Sequence, residues 1–320
     1  MEIFLSTLTQ MLVMFLFIIT GFILKKLSLL PDNAGSVLSK LENYVLVPAL
    51  VLDTFMSNCH IDSLRENYGT ILVSLFLLAL ALVISLPLSK VFAKERPESG
   101  IDENYQRSIY KYALTFGNFG FMGNAVVLGV LGDAGLFKYL LFTLPLNVAV
   151  YTWGIMILVP KGENRENPLK NLFNPIFVAL LLGLVLGLFN AKSVLPAFVV
   201  TTISNAKACM GPIAMLLTGF VIGGYDVREL LTKKRIYLAT ALRLFIIPGI
   251  MLLILKAVGT ADEVMTLALF AFATPLGLNT IVFPAAFGGD TKTGASMAMI
   301  SHTLSVISIP LMYLIFIVLL

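Results

Sequence analysis

Thr115-Phe116-Gly117-Asn118-Phe119-Gly120-Phe121-Met122-Gly123-Asn124 interrupts a membrane-length apolar run with residues that break helices, and Ala273-Thr274-Pro275-Leu276-Gly277-Leu278-Asn279-Thr280 does the same in a second run. Each is followed by the same punctuation, Gly132-Asp133 and then Gly289-Asp290, an offset of 289 − 132 = 157 residues in a chain of 320. Backbone groups left unpaired in hydrocarbon cost several kcal/mol each, so an unwound stretch at that depth persists only where protein or a wet cavity satisfies it. Interrupted apolar segments at matching places in two halves point to a ligand site shared by two repeats.

Working outward, composition fixes the class. The chain is 58% hydrophobic and 12% charged, with a mean hydropathy of +0.93, whereas roughly a quarter of a soluble domain is charged. This is an integral membrane protein, and its environment is the lipid bilayer. The net charge of +4 comes from basic residues in short loops with no continuous patch, so nucleic acid is not a partner. Cys59 and Cys209 have no metal spacing, and His60 and His302 lie far apart, so neither a metal nor another cofactor is expected. No H-E-x-x-H and no paired carboxylates occur in the apolar runs, which argues against an enzyme. The first run, from Ile3 to Leu24, follows Glu2 rather than a basic region and lacks a small-residue cleavage site, so it reads as a retained span.

Apolar runs of roughly 17 to 25 residues number ten, near 3–25, 36–56, 69–93, 107–131, 135–159, 175–190, 206–223, 235–257, 263–287 and 293–319. Lys and Arg separate sharply between alternate loops: 16 fall in connections after odd-numbered spans and 5 in the others. The basic side is cytoplasmic, which puts both termini outside a multi-pass protein. Five spans per half form an odd number, so the halves are inverted: 1–159 is the first repeat, 160–174 a cytoplasmic linker and 175–320 the second. Inversion lets broken spans four and nine meet near the midplane. Tyr44-Val45-Leu46-Val47-Pro48-Ala49-Leu50 and Cys209-Met210-Gly211-Pro212-Ile213-Ala214-Met215 give a second correspondence, with helix breaks at Pro48 and Pro212.

Pro48, Pro212, the Phe116-to-Gly123 run, the Thr274-Pro275 break with Asn279, and Ser305-Val306-Ile307-Ser308-Ile309-Pro310-Leu311 together resemble the auxin efflux carrier family of permeases over essentially the whole chain. The resemblance implies an all-α membrane fold of ten helices in a 5+5 inverted repeat with crossed broken helices four and nine, a bile-acid-symporter/NhaA-like architecture. It also implies a scaffold of spans one, two, six and seven that forms a homodimer. The implied cargo is an organic anion, auxin in plants and carboxylates such as malate or malonate in bacteria. The short Pro160–Pro168 tether, where eukaryotic members carry a large loop, fits a bacterial inner (plasma) membrane. One departure is Asn124, where the family commonly has proline.

The site chemistry follows from what an anion needs inside a membrane. Half-helix N-termini offer unpaired N–H groups and the positive end of a dipole. Asn118, Asn124 and Asn279 add amides, with Gly120, Thr274 and Pro275 beside them at the breaks. The same glycines would also allow close helix packing, and the same asparagines would also bond a neighbouring helix. Asn147 resembles the polar position that the family's fifth helix turns to its substrate, and His302 stands at the matching place in the second half. His302 is a candidate proton carrier or a neutral packing element. Arg243 lies eight residues past Arg235, about 12 Å into span eight, near the centre of a roughly 30 Å core. A charge so deep defaults to function; its candidate partners are a substrate carboxylate, a buried acid or broken-helix carbonyls. Asp53 reads as interfacial, and Cys59 and Cys209 as lying on one outer face.

The anticipated activity is thus a secondary transporter for a small organic anion working by alternating access. A sodium-coupled bile-acid-type symporter is the alternative, and a non-transporting membrane sensor or enzyme the third reading.

Overall fold

The computed structural model describes residues 2–92, 103–158, 174–286 and 291–320. The described residues are helical throughout, with a single isolated antiparallel bridge between Gly117 and Leu276 in place of any strand. In chain order the helices are α1 (Ile3–Lys26), α2 (Ala34–Asn58), α3 (Ile61–Phe92), α4 (Glu103–Thr115), α5 (Phe119–Leu158), α6 (Pro175–Leu188), α7 (Ala197–Gly223), α8 (Val227–Leu231), α9 (Lys234–Ala257), α10 (Asp262–Phe272), α11 (Asn279–Ala286) and α12 (Lys292–Leu319). Seven of them, α1, α2, α3, α5, α7, α9 and α12, are long and apolar enough to cross a membrane.

The others differ from the simple spans expected. Both broken runs split into half-helices, α4 with the start of α5 and α10 with α11. At 14 residues α6 is about 21 Å long, shorter than the hydrocarbon core. Its start is fixed by Pro175 at the first turn and by the Asn174 side chain, which accepts from the Phe177 N–H at 3.0 Å. In α5, Gly132 leaves helical space at φ 67, ψ −167, a conformation that only glycine adopts without strain, and so turns the chain between two helical stretches. Gly289-Asp290 and most of the 160–174 linker lie outside the described residues.

α1 shows how lipid solvation shapes the faces. Met11, Met14 and Ile18, spaced three and four apart, are buried, while Leu5, Leu12, Leu16, Ile19 and Ile23 are exposed. A large apolar exposed face at helical spacing is a lipid-facing face. The buried face packs along α7, and α6 packs along α2. Both approaches are close because of glycine: a side chain at Gly219 would enter the backbone of α1 at Ile18 and Phe22, and one at Gly183 or Gly187 that of α2 at Leu52, Phe55 and Cys59. The two small-residue stripes thus serve contacts within the chain.

Asp53, expected at the interface, has its side chain buried in an ion-pair cluster, bonded by Lys207 of α7 at 2.8 Å and approached by the partly exposed Lys192 at 3.5 Å. Lys207 also bonds Asp133, just past the Gly132 turn. Cys59 and Cys209 are both free thiols, the first buried and the second exposed.

Candidate functional site

The two breaks lie against each other. The Asn118 N–H donates to the Pro275 carbonyl at 2.7 Å, next to the Gly117–Leu276 bridge, and the Leu276 N–H donates to Ser301 Oγ at 3.0 Å. Backbone groups released by unwinding are thereby satisfied within the protein, as a membrane demands. Gly117 is required by space: a Cβ there would meet Thr274 Oγ1 and come within 2.5 Å of the Arg243 guanidinium. The Tyr139 hydroxyl, 3.1 Å from the carbonyls of both Phe119 and Phe270, ties the start of α5 to the end of α10.

On one side of the crossing stand the C-terminal ends of α4 and α10. Arg243 is fully buried there, projecting from a π-helical turn of α9 over Leu242–Ile246. Its Nη1 donates to the carbonyls of Leu114 and Thr115 at 3.3 and 3.2 Å and its Nη2 to that of Ala271 at 3.4 Å, with the guanidinium 5.8 Å from the centre of the Phe272 ring. The last carbonyls of a helix carry its negative dipole end, so a cation there is stabilising. Among the described residues no carboxylate pairs with this arginine. Among the described residues its positive charge meets carbonyl dipoles and the Phe272 ring.

On the other side stand the N-terminal ends of α5 and α11, and they open on one cavity. Gly117 to Phe121 and Gly277 to Asn279 form its two backbone walls, and five carboxamides converge on it: Asn43, Asn118, Asn124, Asn147 and Asn279. Among the described residues no Asp, Glu, Lys, Arg or His lines it. Val47 and Val51, flanking Pro48 on α2, supply apolar wall with Leu140, Val150 and Ile176. A neighbouring cavity shares Val51, Leu140, Asn147, Tyr151 and Ile176 with the first and continues toward the apolar side chains Leu144, Phe177 and Leu180.

The amides are held from behind. Asn118 Nδ2 donates to His302 Nε2 at 3.0 Å, and His302 Nδ1–H donates to the Ala298 carbonyl at 2.7 Å. These two bonds require the neutral ring with its proton on Nδ1. Asn279 Nδ2 donates to Tyr112 Oη at 2.9 Å, Asn147 Nδ2 to the Thr143 carbonyl at 3.2 Å and Asn43 Nδ2 to the Ser39 carbonyl at 2.8 Å. An amide nitrogen carries two hydrogens, so each keeps one to offer a ligand. Asn124 is nearly buried, with Oδ1 sealed from solvent and unpartnered.

Of the residues singled out in the sequence, Asn118, Gly120, Asn124, Asn147 and Asn279 line the cavity. Thr274, Pro275 and His302 do not; they stand behind it as backbone and side-chain support. Arg243 takes the third of its candidate partners, the broken-helix carbonyls. Pro212 lies within α7, where the adjacent Gly211 meets Ala125 of α5. Asn43, Tyr151 and Tyr112 were not anticipated. An asparagine inside an apolar span just ahead of Pro48 was the available signal for the first of them.

A family model described as a membrane transport protein matches residues 6–313. An uncharacterized transporter of Methanocaldococcus jannaschii is 22% identical over 308 residues, covering 94% of this chain and 96% of the relative. An uncharacterized transporter of Methanothermobacter thermautotrophicus is 21% identical over 310 residues, covering 97% and 98%.

Proposed function

Because this chain belongs to the auxin efflux carrier family of membrane transport proteins, a family of transporters and not of enzymes, we propose that it is a secondary transporter that moves a small carboxylate across the plasma membrane by alternating access. The observation that carries the reading is the polarity of the crossing. Both negative helix ends are occupied by Arg243, and both positive ends are left facing a cavity lined by amides. A positive helix end contributes about 0.3 to 1 kcal/mol toward an anion when exposed and up to about 2 when partly buried. Arg243 adds its charge through Gly117, which separates it from the cavity with no side chain. The apolar walls favour an organic anion over an inorganic one.

Alternating access is supported by the arrangement of helices. We count α4 with α5 up to Gly132 as one crossing, the rest of α5 as the next, and α10 with α11 as another, which with α6 makes ten in two inverted halves, 1–159 and 175–320. Contacts exchange under that correspondence: α1 on α7 matches α6 on α2, and α3 on α4 matches α9 on α10. In this reading α1, α2, α6 and α7 form a scaffold, dimeric through its lipid-facing side and with both chain termini outside, while the crossing moves against it.

The test is thermal stabilisation of the purified protein by mono- and dicarboxylates, amino acids and bile acids, each in sodium and in potassium. A ligand at 100 times its Kd adds about 2.7 kcal/mol. A carboxylate that stabilises in both salts is the expected result. Stabilisation by bile acids in sodium alone, or by no carboxylate at all, would overturn the reading.

A further inference from the structure

Glu42 has no role in the mechanism above, yet its surroundings give it one. Its side chain is fully buried, both carboxyl oxygens are sealed from solvent, and neither has a hydrogen-bond partner. It opens the π-helical turn Glu42–Leu46 of α2, and the next residue, Asn43, lines the cavity. Eight residues from Ala34, it lies about 12 Å along the helix from that end.

An ionised carboxylate at such a place, unpaired, costs several kcal/mol. A cation would have to offset it, and among the described residues the elements packed most closely on this turn supply none. The turn packs against the flanking parts of α2 and against α6 and α7. α6 carries no ionisable side chain. The charged residue of α7, Lys207, bonds Asp53 and Asp133, and Cys209 of the same helix is exposed. Elsewhere on α2, Lys40 and Tyr44 are exposed. The carboxyl is therefore held as the neutral acid in this arrangement.

We propose that Glu42 is a proton-binding site coupled to the anion site. When the cavity opens to water beside Asn43, the O–H bond of the acid breaks, the proton passes to that water and a carboxylate remains. Reprotonation precedes closure of the loaded site, because the anion there adds a second negative charge, whereas the empty site returns as the carboxylate, solvated by water in the unfilled cavity. One proton thus moves with each anion. The proposal rests on the transport reading, and its test separates the two.

Wild type and Glu42→Gln are reconstituted in vesicles containing a pH-sensitive dye, and malonate, which does not cross lipid as the dianion, is the probe. Exchange of labelled malonate reports transport, and dye response on adding malonate reports proton movement. The expected result is that both proteins exchange malonate within about twofold of each other while the proton signal of the variant falls about tenfold or more. Exchange without proton movement in wild type, or equal proton movement in both, overturns the proposal. A wild type that does not exchange malonate counts against the transport reading for that anion, and Glu42 is then judged by infrared spectroscopy without ligand. A protonated-carboxyl band at neutral pH that is lost in Glu42→Gln supports the proton site, and its absence from wild type overturns it.

Discussion

The two sides of the helix crossing are built from the same kind of part, an interrupted membrane helix, and finished in opposite ways. Where α4 and α10 end, a buried arginine fills the space and donates to three carbonyls of the two helices. Where α5 and α11 begin, no charged side chain among the described residues lines the cavity, which is left between five amides. On the function proposed above, the difference teaches how a membrane protein would attract an anion without placing a cation in contact with it. A permanent charge is committed to the helix ends that need it, and the complementary ends, with N–H groups and dipoles of the right sign, remain for the cargo. An arginine in direct contact would grip a carboxylate bidentately, and tight grip opposes release on the far side.

The sharpest way to break the comparison is to empty its filled side. Arg243→Leu takes the guanidinium from the Leu114 and Thr115 carbonyls, at about 1 to 3 kcal/mol each, and leaves the Ala271 carbonyl to Thr274 Oγ1. The variant should lose roughly 3 kcal/mol or more, read as a large fall in melting temperature or as failure to fold. Gly117→Ala attacks the wall between the two sides. Its methyl group would meet Thr274 and Arg243 together, and overpacking of this kind costs about 1 to 3 kcal/mol. Here the melting temperature and ligand affinity should fall together, since the same residue lines the cavity. His302→Phe removes support behind the open side and leaves the Asn118 amide without its acceptor, at about 1 to 2 kcal/mol. Because both ring nitrogens are committed in the neutral ring, the pH profile of binding should keep its shape in this variant, whereas Glu42→Gln should flatten it.

The breaks themselves were legible because glycine, proline and asparagine in an apolar run have few other meanings, and they fall where the chain unwinds: Gly117, Asn118 and Pro275 all lie in the crossing. The depth of Arg243 was legible from simple helix length. Its partners were not, because carbonyls on α4 and α10 come within reach only through tertiary packing, from residues 114, 115 and 271. The same limit explains Asp53: its distance along α2 pointed to the interface, but Lys207, 154 residues away, meets it inside the protein. Asn43, just ahead of the repeat motif that starts at Tyr44, was passed over, and Glu42 beside it drew no notice, since a polar residue near a helix end looks solvated until the packing of α6 and α7 against it is known. Asn147, by contrast, came from family resemblance and does line the cavity, although its visible hydrogen bond is to its own helix.

The claim that cargo binds on the open side of the crossing is tested most directly at Asn279, which reaches the cavity from the start of α11 and is braced by Tyr112. The measurement is the dissociation constant of the best-stabilising carboxylate for Asn279→Ala beside wild type, with melting temperatures taken without ligand. Loss of a hydrogen bond to a charged group, about 1.5 to 3 kcal/mol, should weaken binding roughly tenfold to a hundredfold while the unliganded melting temperature changes little. Unchanged affinity in a folded variant would contradict the account.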